Sequence, residues 1–120
     1  MATLDDVRQF ALTLPGAMER TDEFRFDIEL KGKLRSFVHL WRERIHPKKP
    51  KVPNFDVLVL SVPSLRAKEE MLAAHSNWLF TESHYDGYAS ILVRLPDVPR
   101  DELGGLIKLS WQCASKSNVV

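Results

Sequence analysis

The residues best suited to chemistry are the basic side chains of one short segment. Residues 31–51 contain eight Lys or Arg and one acidic residue, Glu43. Residues 1–30 contain three basic and seven acidic residues, and residues 52–120 contain six and eight. The net charge of +1 therefore hides a strongly basic block between two acidic ones. Such a block is suited to contacting nucleic-acid phosphates, with an affinity that depends on salt and little on base sequence.

We predict a DNA-binding site on this block. Its cations would contact phosphates, and three residues from a later part of the chain would lie nearby. The candidates are Arg35, Arg42, Arg44, Lys48, Lys49, Lys51, His84, Tyr85 and Arg94. The alternative is a solvated strand beside an exposed loop. The pI of 7.9 favours this alternative, because dedicated nucleic-acid-binding domains have values above about 9.

A second class of function uses aromatic side chains. On an exposed sheet face, Phe37, Trp41, Tyr85 and Tyr88 would serve as anchors for another protein or a small ligand. The segment 84–88, His-Tyr-Asp-Gly-Tyr, is either a binding edge or an ordinary turn whose tyrosines pack over the end of a sheet. The sequence thus leaves a non-catalytic interaction module as the alternative to DNA binding.

Enzymatic and metal chemistry have weak signals. The five glycines form neither a dinucleotide-binding nor a phosphate-loop motif, and the sequence has no HExxH and no GxSxG. The four histidines are far apart, and the single cysteine, Cys113, lies in a helix pattern without a neighbouring base. We expect no enzyme activity, no cofactor and no metal site.

The elements that must position these residues follow from hydrophobic spacing. Thr3 and Asp6 form a capping pattern before a helix that stops at Pro15-Gly16, and Phe24 to Leu30 alternates apolar and charged residues as a half-exposed strand does. Lys31-Gly32-Lys33 predicts a hairpin turn into a second strand, Leu34 to Arg42. Proline density predicts an exposed loop over residues 43–54.

The second half alternates strands and helices. A short apolar strand, Asp56 to Val62, precedes a helix capped by Ser64, with Leu65, Met71, Leu72 and His75 on one side and Arg66, Lys68, Glu69 and Glu70 mostly outside. A last strand from Ala89 to Leu95 leads into a final helix with an apolar stripe. Gly104 and Gly105 would each destabilise that helix by about 1 kcal/mol relative to alanine, which suggests close packing against a neighbour.

The predicted fold is an α+β two-layer sandwich in the order α-β-β-β-α-β-α. Helices would cover one face of a mainly antiparallel sheet of about four or more strands. A length of 120 residues, with 44% apolar and 28% charged residues, predicts a single domain over residues 1–120. We expect a cytoplasmic protein without a membrane partner, because the acidic start does not fit a signal peptide and apolar runs are short.

Three stretches resemble the MmcQ/YjbR family of small bacterial proteins: LDDVRQFALTLPGAMER, LRAKEEMLAAHSNWLFTESHYDGYASILVRL and PRDELGGLIKLSWQCAS. Together they span nearly the whole chain. The resemblance implies a compact α/β fold likened to the frataxin-type CyaY arrangement. It also implies DNA binding, a role suggested for that family from the shape of a double-wing motif. No catalytic residues or cofactor are settled for the family, so the resemblance assigns none to this chain. The lysine-proline stretch 47–53 departs from the family's short glycine-containing link and enlarges the basic loop.

Overall fold

The computed structural model describes residues 2–20, 23–43 and 47–115. The elements are α1 (Leu4–Leu12), β1 (Met18–Glu19), β2 (Arg25–Leu30), β3 (Lys33–Glu43), β4 (Val52–Ser61), α2 (Leu65–Ala74), β5 (Leu79–Phe80), β6 (Ser90–Arg94) and α3 (Arg100–Ser115). The strands form one six-stranded sheet in the order β1-β2-β3-β4-β6-β5, and each neighbouring pair is antiparallel. This confirms the α+β prediction. The two-residue strands β1 and β5 are additional to the four predicted strands, since two residues are too few to show a period.

The helices cover one face of the sheet. Alternate residues of β4 and β6, including Leu58, Leu60, Ile91 and Val93, form the core with α1 and α3. Thr3 caps α1 as predicted, because its hydroxyl accepts a hydrogen bond from the Asp6 amide while the Asp6 carboxylate accepts one from the Thr3 amide. The predicted stripe of α3 is confirmed, since Leu103, Leu106, Ile107 and Ala114 are buried and Trp111 packs against them.

The two adjacent glycines of α3 have different surroundings. A Cβ at Gly104 would lie 2.9 Å from Cε1 of Phe10, whereas a Cβ at Gly105 would have no neighbour within 4 Å. Close packing against α1 therefore accounts for Gly104, as predicted, and does not account for Gly105. The structure gives no reason for glycine at position 105.

Two charged residues that were predicted to face water are buried. Asp27 is 1% exposed and Lys68 is 5% exposed. Asp27 accepts a hydrogen bond from Nε of Arg25 at 2.9 Å, and Lys68 donates to two backbone carbonyls of the segment 81–89. These hydrogen bonds offset the cost of burying each charge. The spacing of polar and apolar residues predicted that both side chains face water. Leu65 shows the reverse error, since it begins α2 with about half of its surface exposed.

The predicted loop over residues 43–54 is shorter than expected. β3 extends to Glu43, and β4 already begins at Val52, four residues before the predicted start. Pro53 lies within β4, opposite Arg42. At this position β4 pairs with β3 on one side and has no described partner strand on the other, and such an edge tolerates proline.

Candidate nucleic-acid interface and adjoining cleft

The long β3–β4 hairpin extends beyond the strands on either side of it. β2 begins at Arg25, opposite His39, and β6 ends at Arg94, opposite Val57. Beyond these points Trp41–Glu43 pairs with Val52–Asn54, and the described residues include no third strand there. We call these two three-residue stretches, with the intervening turn residues 47–51, the arm.

The arm and its base bring together five of the nine predicted site residues. Arg42 lies on the β3 side of the arm, and Lys48, Lys49 and Lys51 are exposed in the turn that leads into β4. Arg94 ends β6 beside the base of the arm. Glu43 is the acidic residue on the described part of the arm, which is therefore strongly basic.

The remaining basic candidates are placed differently. Arg35 lies opposite Ile28 near the β2–β3 turn, seven residues before Arg42 on the same strand. At about 3.3 Å per residue, the two arginines are roughly 23 Å apart, at opposite ends of β3. Arg44 is outside the described residues. The structure thus divides the predicted basic strip into two separate groups.

An aromatic stack joins Arg94 to the arm. The Arg94 guanidinium lies 4.1 Å from the centre of the Phe80 ring, and Phe80 meets Trp41 edge to face with ring centres 6.1 Å apart. This group covers the sheet face opposite the helices, where Val57, Val59 and Leu92 form a small second core. The stack fixes the base of the arm to the body of the protein.

His84 and Tyr85 lie in the turn segment 81–89. The exposed His84 ring is 3.4 Å from the Glu82 carboxylate, and that carboxylate also accepts a hydrogen bond from the His84 amide. Tyr85 packs against the second core, and burial followed by the charge of Glu82 raises the pKa of its hydroxyl. A carboxylate beside His84 makes this segment a poor partner for phosphate.

Of the four predicted aromatic anchors, one is excluded. Phe37 is buried in the main core and cannot contact a partner. The reason is a β-bulge between β2 and β3, where Phe26 pairs with Val38 and Asp27 with Ser36, so that Phe37 turns toward the helices. The other anchors, Trp41, Tyr85 and Tyr88, lie on or beside the opposite face or in the exposed turn segment.

A cleft of about 650 Å³ lies between the arm and the start of β2. Its lining comes from the start of β2 and the two residues before it, from β3 and from β4. It combines two arginines with aromatic, aliphatic and polar side chains. The lining residues are Glu23, Phe24, Arg25, Ser36, His39, Leu40, Arg42, Pro53 and Phe55. Sequence reasoning assigned one of these, Arg42, to a site. The others were missed because the cleft depends on how the strands are aligned.

A register shift places Phe55 beside the cleft. β3 pairs Leu40 with Leu58 and its next residue, Trp41, with Asn54. Residues 55–57 of β4 therefore have no paired residue on β3. Phe55 is one of these three residues and is 57% exposed, although its ring is large and apolar. Bulges commonly redirect side chains next to binding sites in this way.

His39 forms part of the polar wall of the cleft. Its ring Nδ1 is 3.5 Å from the Ser36 hydroxyl, and its cross-strand partner is Arg25. Burial, followed by the positive charge of Arg25, lowers the pKa of His39, while Glu23 and Asp27 act in the opposite direction. His39 is therefore neutral at pH 7 and contributes hydrogen-bonding groups without a charge.

The shifted pKa of His39 predicts a pH-dependent stability. Between the lowered pKa of folded His39 and the unfolded value of about 6.5, the unfolded chain binds more protons than the folded one, so stability rises with pH. His39 thus contributes stability that is present above about pH 6.5 and is lost as the pH falls through this window. Urea unfolding from pH 8 to pH 5 should show the wild type losing its advantage over His39→Gln as the pH falls. A constant difference would contradict this prediction, and His84→Gln controls for the loss of an exposed histidine.

The described residues offer neither a metal-binding cluster nor a helix that could span a membrane. They contain no cluster of three or more His, Cys, Asp or Glu side chains arranged to bind a metal ion. No helix among them has the length and apolar character needed to cross a membrane.

Comparison with known proteins shows similarity without an established function. No family model matches the chain. Uncharacterised proteins of Mycobacterium tuberculosis and Mycobacterium bovis are 28% identical over 121 aligned positions, which cover all of this chain and 94% of each relative. The crystal structure of Deinococcus radiodurans protein DR2400, a DUF419 domain, is similar with a TM-score of 0.69 and 25% identity, over all of this chain and 83% of that one. The chain is therefore similar in fold to a DUF419 protein and in sequence to uncharacterised bacterial proteins.

Proposed function

We propose that the protein is a non-catalytic DNA-binding protein whose arm contacts the phosphate backbone with little preference for sequence. The observation that carries this proposal is the extension of a basic two-stranded hairpin beyond the rest of the sheet. The major groove of DNA admits a two-stranded ribbon, so the arm could enter it while its cations bind phosphates on either side.

The charges on the arm support this role. Arg42, Lys48, Lys49 and Lys51 are all exposed, and Lys and Arg side chains in water exchange one partner for another at little cost. Arg94 lies at the base of the arm and extends the basic surface onto the sheet. β2 pairs with β3, so the acidic side chains of β2 lie beside the basic strand. Just before β2, the Glu23 carboxylate is 3.8 Å from the Arg42 guanidinium. These carboxylates reduce the positive potential at the base and leave the turn residues basic.

The family resemblance adds support of a different kind. We propose membership of the MmcQ/YjbR family, for which a DNA-binding role has been suggested from a double-wing shape. The arm would correspond to one wing, lengthened by the lysine-proline stretch of this chain. Arg35 and His84 are left out of the proposed contact surface, because Arg35 lies at the far end of β3 and His84 faces a carboxylate.

The proposal predicts a steep salt dependence of DNA binding. If the four described cations of the arm each neutralise one phosphate, the logarithm of the association constant should fall with the logarithm of salt concentration with a slope of about −3 to −4. The triple variant Lys48→Gln, Lys49→Gln, Lys51→Gln should flatten that slope by about 3 and weaken binding to unrelated duplexes equally. Fluorescence anisotropy of labelled duplexes across a salt series measures both quantities.

A matched control removes three charges from the other end of β3. Lys31→Asn, Lys33→Gln and Arg35→Gln change the net charge by the same amount at the β2–β3 turn, where asparagine suits the positive φ of residue 31. This variant should bind nearly as well as the wild type. Equal loss in the two triple variants would show attraction to net charge alone and would contradict a site on the arm, as would the absence of binding at low salt.

A second candidate function is favoured by the cleft at the base of the arm. Its volume of about 650 Å³ falls within the range of small-molecule sites. This corresponds to the interaction module expected from the sequence, with Phe24 and Phe55 in place of the anchors first predicted.

A further inference from the structure

The two arginines of the cleft share one carboxylate. Glu23 Oε1 lies 3.6 Å from Nη1 of Arg25, and Glu23 Oε2 lies 3.8 Å from Nη1 of Arg42. Charge-assisted hydrogen bonds between guanidinium and carboxylate are about 2.7–2.9 Å long, so Glu23 lies between both cations without binding either closely. An anion from solution could approach both guanidinium groups more closely than this tethered side chain does.

Arg25 is oriented for such an anion by a buried partner. Its Nε donates to Oδ1 of Asp27 at 2.9 Å, and Asp27 is almost completely buried. This bond fixes the direction of the guanidinium plane and directs an Nη group toward Glu23 and the cleft. Arg42 is more exposed and can follow a ligand, so the pair combines one rigid donor with one adaptable donor.

Two phenylalanine rings, Phe24 and Phe55, also line the cleft. The Phe24 ring is held edge to face against Phe26 with ring centres 5.2 Å apart, and the Arg8 guanidinium lies 5.5 Å from its centre. Phe55 remains more than half exposed on the β4 side. A fixed ring and an exposed ring beside the same cavity are suited to a flat apolar group, whose burial would remove the Phe55 ring from water.

We propose that this cleft binds a small molecule that joins a planar aromatic body to one carboxylate or phosphate group, with Arg25 and Arg42 binding the anion and Glu23 competing for them. The body would lie between Phe24 and Phe55. Ser36 and the neutral His39 would supply hydrogen bonds at the polar wall. This inference deepens the second candidate function, and it does not depend on DNA binding.

The role of Glu23 gives a test in which a mutation improves binding. Calorimetric titration with 1-naphthoate should give an affinity that rises about five- to tenfold in Glu23→Gln, because the internal competitor is lost, and falls about tenfold in Arg42→Gln. The matched control is Glu29→Gln, which removes an exposed carboxylate four residues from the start of β2 and should leave affinity unchanged. A fold defect cannot imitate the gain in Glu23→Gln.

Ligand variants separate charge from shape. Neutral 1-naphthamide should bind at least tenfold more weakly than 1-naphthoate and should not respond to Glu23→Gln. Stronger binding of 1-naphthyl phosphate or of 1-naphthoate identifies the preferred anion, and either supports the inference. The His39 ring proton signals in NMR, assigned with His39→Gln, should shift on titration and so place the ligand in the cleft.

Several results would overturn the inference. Equal affinity for naphthamide and naphthoate would leave an apolar interaction site and remove the anion site. Unchanged or weaker naphthoate binding in Glu23→Gln would show that Glu23 does not compete with the ligand. If no naphthyl compound binds at millimolar concentration, the cleft is not a site for this class of ligand. Naphthoate binding should persist in the triple lysine variant of the arm, so the outcome is independent of the DNA-binding test.

Discussion

Replacing Ser110 with alanine is expected to lower the free energy of unfolding by about 2–6 kcal/mol, because it leaves a buried backbone carbonyl and a partly buried backbone amide without partners. Ser110 is 0% exposed on α3. Its hydroxyl donates a hydrogen bond of 2.6 Å to the Phe37 carbonyl and accepts one of 2.8 Å from the Ser61 amide. The helix therefore bonds to two neighbouring strands through one oxygen atom.

The position of this bridge explains why the loss should be large. The β3–β4 register pairs His39 with Val59, and continuing it by two residues places Phe37 opposite Ser61. The Ser110 hydroxyl thus links the two strands where the next pair of the ladder would lie. Alanine fills almost the same space and provides neither donor nor acceptor, so the cost of two unsatisfied groups of about 1–3 kcal/mol each remains.

Urea unfolding of Ser110→Ala beside Ser115→Ala tests this prediction. Ser115 is on the same helix, and its hydroxyl bonds within the helix to the Gln112 carbonyl, so its removal should change stability by less than about 0.5 kcal/mol. If Ser110→Ala costs less than about 1 kcal/mol, β3 and β4 must close the gap with a direct bond, and the bridge is not required.

Features that depend on neighbours in sequence were the ones that could be predicted. The cap formed by Thr3 and Asp6 and the turn at Lys31-Gly32 both arise within four residues, and both occur in the structure. The apolar stripe of α3 was also predicted correctly from the spacing of its residues. These signals fixed the fold class, because helix caps, turn residues and hydrophobic periods act locally.

Features that depend on distant pairing could not be predicted. Lys68 has the pattern of a solvated helix residue, and its partners are carbonyl groups 17 and 20 residues away, which any amino acid could supply. Asp27 lies on the charged side of an alternating strand, where periodicity predicts contact with water. Neither the position of a backbone carbonyl nor the strand register can be recognised from composition or from residue spacing.

The candidate site shows the same division. The basic character of the β3–β4 hairpin was evident from composition, whereas the separation of Arg35 from Arg42 required the length of β3. The cleft was not predicted, because it needs the start of β2, the end of β3 and the shifted register of β4 together. Charge can be read from sequence, but the surface on which charges meet depends on pairing.

Replacing Lys68 with methionine is expected to destabilise the protein by about 2–4 kcal/mol and to loosen the turn segment 81–89. The Lys68 ammonium donates to the Tyr85 carbonyl at 2.6 Å and to the Tyr88 carbonyl at 3.0 Å. Hydrogen bonds from a charged donor contribute about 1.5–3 kcal/mol each, and some of this is recovered when the carbonyls meet water. Methionine has similar length, so the loss would report the hydrogen bonds and not a cavity.

The effect on the turn segment distinguishes this role from general packing. Tyr85 and Tyr88 also form internal bonds of the segment, from the Tyr85 amide to the Glu82 carbonyl and from the Tyr88 amide to the Tyr85 carbonyl. Hydrogen exchange at these two amides should accelerate in Lys68→Met more than exchange in β4 or β6, because the segment loses its attachment to α2 while the sheet stays paired.

Arg66→Met provides the matched control for this second prediction. Arg66 is on the same helix with its side chain 88% exposed, and its ion pair with Glu70 is 3.7 Å long, so its removal should change stability little. A Lys68→Met protein as stable as the wild type would contradict the argument, since buried charges replaced by apolar groups sometimes gain stability. In that case the segment would be held by the packing of Tyr85 on the second core, and Tyr85→Ala would release it instead.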